Sequence, residues 1–374
     1  MYKQKMESAD VTIIGAGVIG LAIAAEIARP GMNIFILEKN PSPGRGISSR
    51  NSEVIHGGMY YPQDSFKATL CVEGRRRLYD IAAKNNIPHR KIGKLIVATE
   101  PVETEEVEHL HENAQANGVD STELISSRRI AEMEPNIRAC TALYSPETGI
   151  ISAHDLMNYF LLQARLNKAE LINCTEVMGI EKEARNYRIF TRNNNGDTFD
   201  FASACVINAA GLESDTIANM VGGNYQLHYC KGDYCSISGV NKSMIKRLIY
   251  PVPAKNHVGL GVHLTIDLTG RMKLGPDTTY ISRSEDYNVT AQKAPLFYES
   301  ARKFLPFLQK ENVSPDMAGI RPKLQGPNDS FHDFVIREDL PGFINLVGME
   351  SPGLTASPAI ARLVNKILTG KQSN

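Results

Sequence analysis

The chain has 374 residues, 42% hydrophobic and 22% charged, an ordinary globular composition at a length where two domains are expected. Its 41 basic and 41 acidic side chains cancel, so no net field favours nucleic acid or an anionic membrane, and only local basic pockets remain open. No run of about 18 apolar residues suggests a transmembrane helix, and the polar first ten residues lack the apolar core of a secretory signal. The six cysteines are scattered without a Cys-x-x-Cys pair, which argues for a reduced cytoplasmic chain and against a disulfide frame or a metal site.

The first predicted element is a short buried strand, Val11 to Ile14, opening "DVTIIGAGVIGLAIAAEIA". Gly15, Gly17 and Gly20 follow at Gly-x-Gly-x-x-Gly spacing and lead into an Ala/Ile/Leu helix that Pro30 and Gly31 stop. A second strand, "NIFILE", ends at Glu38, a little over twenty residues past the first glycine. Each part has a job in holding a dinucleotide. The first glycine makes the turn, the second admits a pyrophosphate, and the third lets helix and strand pack closely. The helix N-terminus then meets the phosphates, and Glu38 accepts from the ribose hydroxyls.

The next stretch, "ISSRNSEVIHGGMYYP" at residues 47–62, follows neither a strand nor a helix period. It reads as an irregular loop-helix crossing the cofactor, with Ser48, Ser49 and Asn51 offering polar groups and Gly57 and Gly58 admitting a ring. Residues 103–119 predict an amphipathic helix through Val107, Leu110 and Ala114, its charges forming a solvated face. Further on, "NNNGD" at 193–197 reads as a hairpin turn, and "ACVINAAG" at 204–211 as a buried strand with small residues, including Ala210 and Gly211, at its end. Residues 258–277 alternate like two strands with a turn near 268–270. Residues 342–364 read as strand, glycine turn and helix, with Gly353, Leu354 and Thr355 at the helix start. Three nucleotide-facing segments so far apart favour FAD over NAD.

The sequence at this point resembles the flavoprotein oxidoreductases related to D-amino-acid oxidase, and among them most resembles the L-2-hydroxyglutarate dehydrogenase/oxidase family. The runs that carry the likeness are "NSEVIHGGMYYP", "KATLCVEG", "GKLIVAT", "EPNI", "SPETGIIS", "GVHLT" and "LGPD", spread over nearly the whole chain. Two departures stand near the site: Ser52-Glu53 replaces the usual Ser-Gly, and "KGDYC" at 231–235 replaces Arg-Gly-Glu-Tyr-Tyr. The resemblance implies an α/β (α+β overall) fold, with an FAD-binding Rossmann-like domain of the glutathione-reductase type interleaved with an antiparallel-sheet substrate domain. The expected division is 8–90, 145–213 and 320–374 for the FAD domain, and 91–144 and 214–319 for the substrate domain.

The resemblance also adds Lys39 and Val177 to the cofactor contacts. It makes "AGIRPKL" a carboxylate-binding motif in which Arg321 grips a substrate carboxylate and Lys323 serves a distal one. The reaction needs a base for the hydroxyl proton; His263 is the candidate and His56 its rival. Tyr60, Tyr61 and Lys231 are further substrate contacts. The implied activity is oxidation of a small L-2-hydroxy acid, L-2-hydroxyglutarate to 2-oxoglutarate, with oxygen or a quinone as acceptor. The alternatives are an amine oxidase of the glycine or sarcosine kind, a glycerol-3-phosphate dehydrogenase, and an electron-transfer subunit that binds FAD without its own substrate. A cytoplasmic location is expected, with peripheral contact at the inner membrane left open.

Overall fold

The computed structural model describes residues 8–253 and 261–370. The expected loose tail at 371–374 and the start of the expected strand at 258–260 lie outside the described residues.

The strand Ser8–Ile14 runs between two parallel neighbours, Ile34–Leu37 and Thr198–Asn208, with Ile13 level with Ile36 and Ile207. From Val11 to Ile14 every side chain is buried, which is why that part of the strand is β-branched throughout. Glu170–Ile172 extends the parallel set on one side and Phe343–Val347 on the other. The helix Val18–Ile27 is apolar nearly all round and therefore buried. It packs against Ala153–Leu166 and Gly353–Leu368, and the helix Phe66–Lys84 leans on the last of these. A side chain at Gly74 would strike the Thr355 carbonyl, so that crossing requires a glycine. Tyr187–Asn193 and Thr198–Asn208 form an antiparallel hairpin. Its turn is made by Gly196 at φ +87° and by the Asn193 side chain, which accepts from the Asn195 and Asp197 amides.

A second, nine-stranded sheet is built around His228–Ile237, which pairs antiparallel with Val313–Lys323, Met272–Leu274 and Thr279–Ile281. Leu264–Ile266 and Met272–Leu274 form the expected hairpin, its turn held by the Asp267 carboxylate, which accepts from the Thr269 and Arg271 amides. The sheet is not wholly antiparallel: Leu248–Pro251 runs parallel to Lys94–Ala98. These two strands come from chain passes separated by a return through the first sheet, so no hairpin dictates their relative direction. The expected boundary at residue 320 falls inside the unbroken strand Val313–Lys323. A small third sheet of Val54–Ile55, His89–Arg90 and Gly149–Ile151 anchors the irregular 47–62 stretch. Among the described residues no helix is long and apolar enough to cross a membrane.

Candidate active site

A cavity of about 990 Å³ runs from the glycine turn to the end of Val313–Lys323, at the upper end of the usual range for ligand pockets. At its first end Gly15 takes φ +103°, where a side chain would also press 2.5 Å from the Ala209 carbonyl oxygen. A side chain at Gly20 would collide with the Gly15 carbonyl, which is the close helix–strand approach its spacing implies. Gly17 is the N-cap of Val18–Ile27 and supplies no side-chain cap. The Ser48 hydroxyl accepts from the Val18 amide at 2.9 Å, so the 47–62 stretch is tied to that helix start. Glu38 accepts from the Ala16 amide at 3.0 Å and from the Asn40 amide at 2.9 Å, and its carboxylate still lines the cavity. Lys39, Val177, Ala210 and Gly211 line the same end.

At the middle of the cavity, Gly353 and Leu354 open the helix Gly353–Leu368, which also lacks a side-chain N-cap. Two helix N-termini whose N-cap residues, Gly17 and Pro352, make no side-chain cap thus face one elongated space, as a phosphate-bearing cofactor with a reducible ring requires.

The other end of the cavity is crowded with buried polar side chains. Arg321 donates to the Asp277 carbonyl at 2.5 Å and to the Thr278 hydroxyl at 3.3 Å. Burial opposes its charge, but Cys230, Tyr234, Glu350 and Asp277 outweigh that effect, so the guanidinium stays charged. Gly232 on the neighbouring strand leaves the room it occupies: a Cβ there would overlap the guanidinium. Glu350 pairs with Lys67 at 2.9 Å and with Lys323 at 3.3 Å, and all three are buried. Burial alone would raise the Glu350 carboxyl, but Lys67, Lys323 and Arg321 hold it below the usual range.

His263 lies one residue before the strand Leu264–Ile266 rather than within it, stacked on Tyr250 with ring centres 3.8 Å apart. Its Nδ1 is 2.9 Å from the Gly261 carbonyl oxygen. In the neutral ring that nitrogen donates, which leaves Nε2 as the acceptor. Burial, opposed by the Gly261 hydrogen bond and aided by Lys94 and Arg321, lowers its pKa to about 3. Burial, Lys94 and His263 lower His56 to about 3 as well. Its Nε2 is 3.3 Å from the Ser351 hydroxyl, while Nδ1 has no partner among the described residues. Both imidazoles are therefore neutral near pH 7, each with a lone pair on one ring nitrogen.

Residues 10–367 match the family model described as FAD dependent oxidoreductase. The chain belongs to the DAO family of FAD-dependent oxidoreductases. It is 37% identical to the mitochondrial L-2-hydroxyglutarate dehydrogenase of Arabidopsis thaliana, over 97% of this chain and 84% of that protein. It is 32% identical to the glycerol 3-phosphate dehydrogenase of Caloramator mitchellensis, over 96% of this chain and 73% of that protein. The L-alpha-glycerophosphate oxidase of Mycoplasma pneumoniae, solved with FAD bound, superposes with a TM-score of 0.87 at 28% identity, covering 97% of this chain and 95% of that one. The glycine turn, the two helix starts that face the cavity and the length of the cavity all fit FAD, the cofactor of this DAO-family chain.

Three expected site residues do not line the cavity of this DAO-family fold. Ser49 points away, its hydroxyl donating to the Gly46 carbonyl at 3.1 Å. Thr355 is fully buried and acts indirectly, its hydroxyl accepting from the His56 amide at 3.0 Å and donating to the Val54 carbonyl at 3.2 Å. Lys231 donates to the Asn288 carbonyl at 2.6 Å and lies 3.6 Å from Asp233 and 3.5 Å from Asp286. Successive residues of a strand face opposite sides, and it is Gly232, next in line, that meets Arg321. Asn51 does line the cavity, yet its amide closes a local turn, donating to the Ser48 carbonyl and accepting from the Glu53 amide. Tyr60 and Tyr61 line it beside His56.

Sequence reasoning missed Lys67, Glu350, Tyr234 and Tyr250. Lys67 was within sight, since it opens the family-like run "KATLCVEG". The helix Thr104–Ala116 is also less solvated than its charges suggest: Glu106, His109 and Asn113 line the cavity, and Asn113 donates to the Met59 and Tyr61 carbonyls.

Proposed function

We propose that this chain oxidises a small L-2-hydroxy dicarboxylate, L-2-hydroxyglutarate in the first instance, to its 2-oxo acid. The carrying observation is the charge balance at the reacting end. Arg321, Lys67 and Lys323 bring three cations to one buried wall, with Glu350 paired to the two lysines. A dianion is the ligand that neutralises them, and a buried charge left unpaired is expensive. The Arabidopsis relative, named for L-2-hydroxyglutarate, supports the same reading.

In this reading Arg321 takes the carboxylate beside the reacting carbon through its planar fork. Lys67 and Lys323 meet the distal carboxylate and share it with Glu350. The acceptor nitrogen of His263 takes the hydroxyl proton, with His56 as the second imidazole able to do so. FAD held along the glycine turn and the Gly353–Leu368 helix start would supply the hydride acceptor for that carbon. Holding the substrate at both ends supplies the orientation on which much of the rate depends. Oxygen or a quinone receives the electrons, in the cytoplasm or at the face of a membrane; oxygen uptake set against quinone reduction decides the acceptor.

Glycerol 3-phosphate is the second reading, because the Caloramator and Mycoplasma relatives bear glycerophosphate names and a phosphate dianion also carries two charges. An anaerobic bleaching screen separates them. Fast bleaching of the flavin by L-2-hydroxyglutarate, with glycerol 3-phosphate, glycine and sarcosine inert, is the expected result. Bleaching by any of those three and not by the hydroxy acid rejects it. A flavin-loaded protein that none of them bleaches leaves the electron-transfer subunit as the better description.

A further inference from the structure

Arg321 is fixed without a carboxylate. Among the described residues its guanidinium hydrogen-bonds only neutral partners: the Asp277 carbonyl at 2.5 Å, the Thr278 hydroxyl at 3.3 Å and the Cys230 sulfur at 3.6 Å. Pro276 and Thr278 line the cavity, while Asp277 between them does not.

Both oxygens of the Asp277 carboxylate are taken from behind. Oδ1 accepts from the Asp233 amide at 2.8 Å, and Oδ2 accepts from the Lys293 ammonium at 2.5 Å. The Asp277 amide donates in turn to the Asp233 carbonyl at 3.2 Å. Lys293 opens the helix Lys293–Ala301 and also stands 2.9 Å from the buried Asp233 carboxylate. Lys231 lies 3.6 Å from the other oxygen of Asp233. Lys231 and Asp233 flank Gly232, so they share the strand face opposite the one that meets Arg321. One side of His228–Ile237 thus faces the arginine, the other carries an ion cluster, and Asp277 touches both.

Two carboxylates at one ammonium depend on it. Burial opposes the charge on Lys293, but its hydrogen bonds to Asp277 and Asp233 outweigh that effect. Without the ammonium, the two like charges would repel, and Asp277 already meets a second cation, Arg321, through its own carbonyl. A carboxylate turned onto that guanidinium would form the pair that a substrate carboxylate needs. An arginine so occupied would have to give up its partner at each turnover.

The geometry points to Lys293 as a positioning residue for carboxylate binding: by holding the Asp277 carboxylate back, it leaves Arg321 fixed by neutral groups and free to pair with the substrate. Lys293 does not touch the substrate and acts through Asp277. This role rests on the reading in which Arg321 takes the carboxylate beside the reacting carbon.

The test uses the FAD-bound protein with Lys293→Met, Lys293→Gln, Lys293→Arg, Asp277→Asn and the double variant Lys293→Met/Asp277→Asn. Steady-state kinetics use the best substrate of the bleaching screen, and crystal structures are determined without substrate. Lys293→Met should raise KM by about tenfold or more with kcat less affected, because binding shared by ground and transition states is lost. Its crystals should show the Asp277 carboxylate turned onto Arg321. Lys293→Arg should stay close to the parent. The double variant should return KM to within about threefold of the parent, since the competing carboxylate is gone and the two sites are coupled. A lysine that merely propped the strand would gain nothing from the second substitution. An unchanged KM in Lys293→Met, a double variant no better than the single one, or an Asp277 carboxylate still on the Asp233 amide overturns the proposal. Lys293→Gln serves if the methionine variant does not fold. Failure of both to fold also overturns it, because the lysine is then needed by the fold and not by Arg321. The crystal arm needs no substrate, so a failed bleaching screen and a failed Lys293 proposal can be told apart.

Discussion

The two ends of this cavity are built by opposite means. Around the glycine turn the polar side chains are satisfied within the fold: Glu38 by Ala16 and Asn40, Ser48 by Val18, Asn51 by Ser48 and Glu53. Binding capacity there lies in the dipole of the helix that Gly17 starts and in the absence of side chains at Gly15 and Gly20. At the far end His56 Nδ1, the Tyr60 and Tyr250 hydroxyls and the Lys94 ammonium are buried and have no partner among the described residues. A native interior seldom leaves polar atoms in that state unless a ligand, a water or a reaction will use them. One end is a mould finished before anything binds; the other is a set of reactive groups awaiting a partner.

The comparison breaks first where the mould is exact. Gly15→Val should abolish FAD binding, since a β-branched residue at φ +103° is strained and its Cβ meets the Ala209 carbonyl at 2.5 Å. The purified variant should be colourless and not reconstitute with added FAD. A yellow Gly15→Val protein would show that the turn does not form the phosphate seat.

At the reacting end, loss of a group should leave a yellow but slow enzyme. His263→Ala should lower turnover by roughly 10²–10⁴ if its free Nε2 is the acceptor, while flavin content stays at the parent level. A parent-like rate moves that role to His56. A smaller effect is expected one shell out. Gly232→Ala should push the Arg321 guanidinium from its place and raise KM by about tenfold or more with kcat less affected. Equal loss in both parameters would mean that the strand, rather than the arginine, had been disturbed.

How much of this was legible in the sequence follows the same division. The phosphate end is local: strand, three glycines, helix and Glu38 lie within one short stretch, so spacing alone finds them. The reacting end is assembled from His56, Lys67, Tyr250, His263, Arg321 and Glu350, which only the return of the chain through two sheets brings together. Arg321 and His263 were found through family-like runs around them. Lys67 and Glu350 were missed because an ion pair nearly three hundred residues apart has no periodic signature. Lys231 was misplaced for a simpler reason. In "KGDYC" the charged residue draws attention, but it is the glycine beside it that faces Arg321, and strand alternation decides that only once the facing side is known.

The gentlest test of the comparison is thermodynamic. His56 and His263 are buried and neutral, each with a pKa lowered to about 3 from an ordinary 6.5. Between those values the unfolded chain binds protons that the folded one refuses, so stability must fall as pH drops below about 6.5 and recover as it rises. Each histidine should contribute up to about 1.4 kcal/mol per pH unit on the acid side of that window. The Glu350 carboxyl, held below its ordinary 4.5, enters only at lower pH and does not blur the result. Urea unfolding between pH 7 and 5 should therefore show a steep loss that His263→Asn reduces by about half and that Gly15→Val leaves intact. If the slope survives replacement of both histidines, the proton uptake belongs elsewhere in the chain, and the contrast between a satisfied end and a poised end loses its energetic basis.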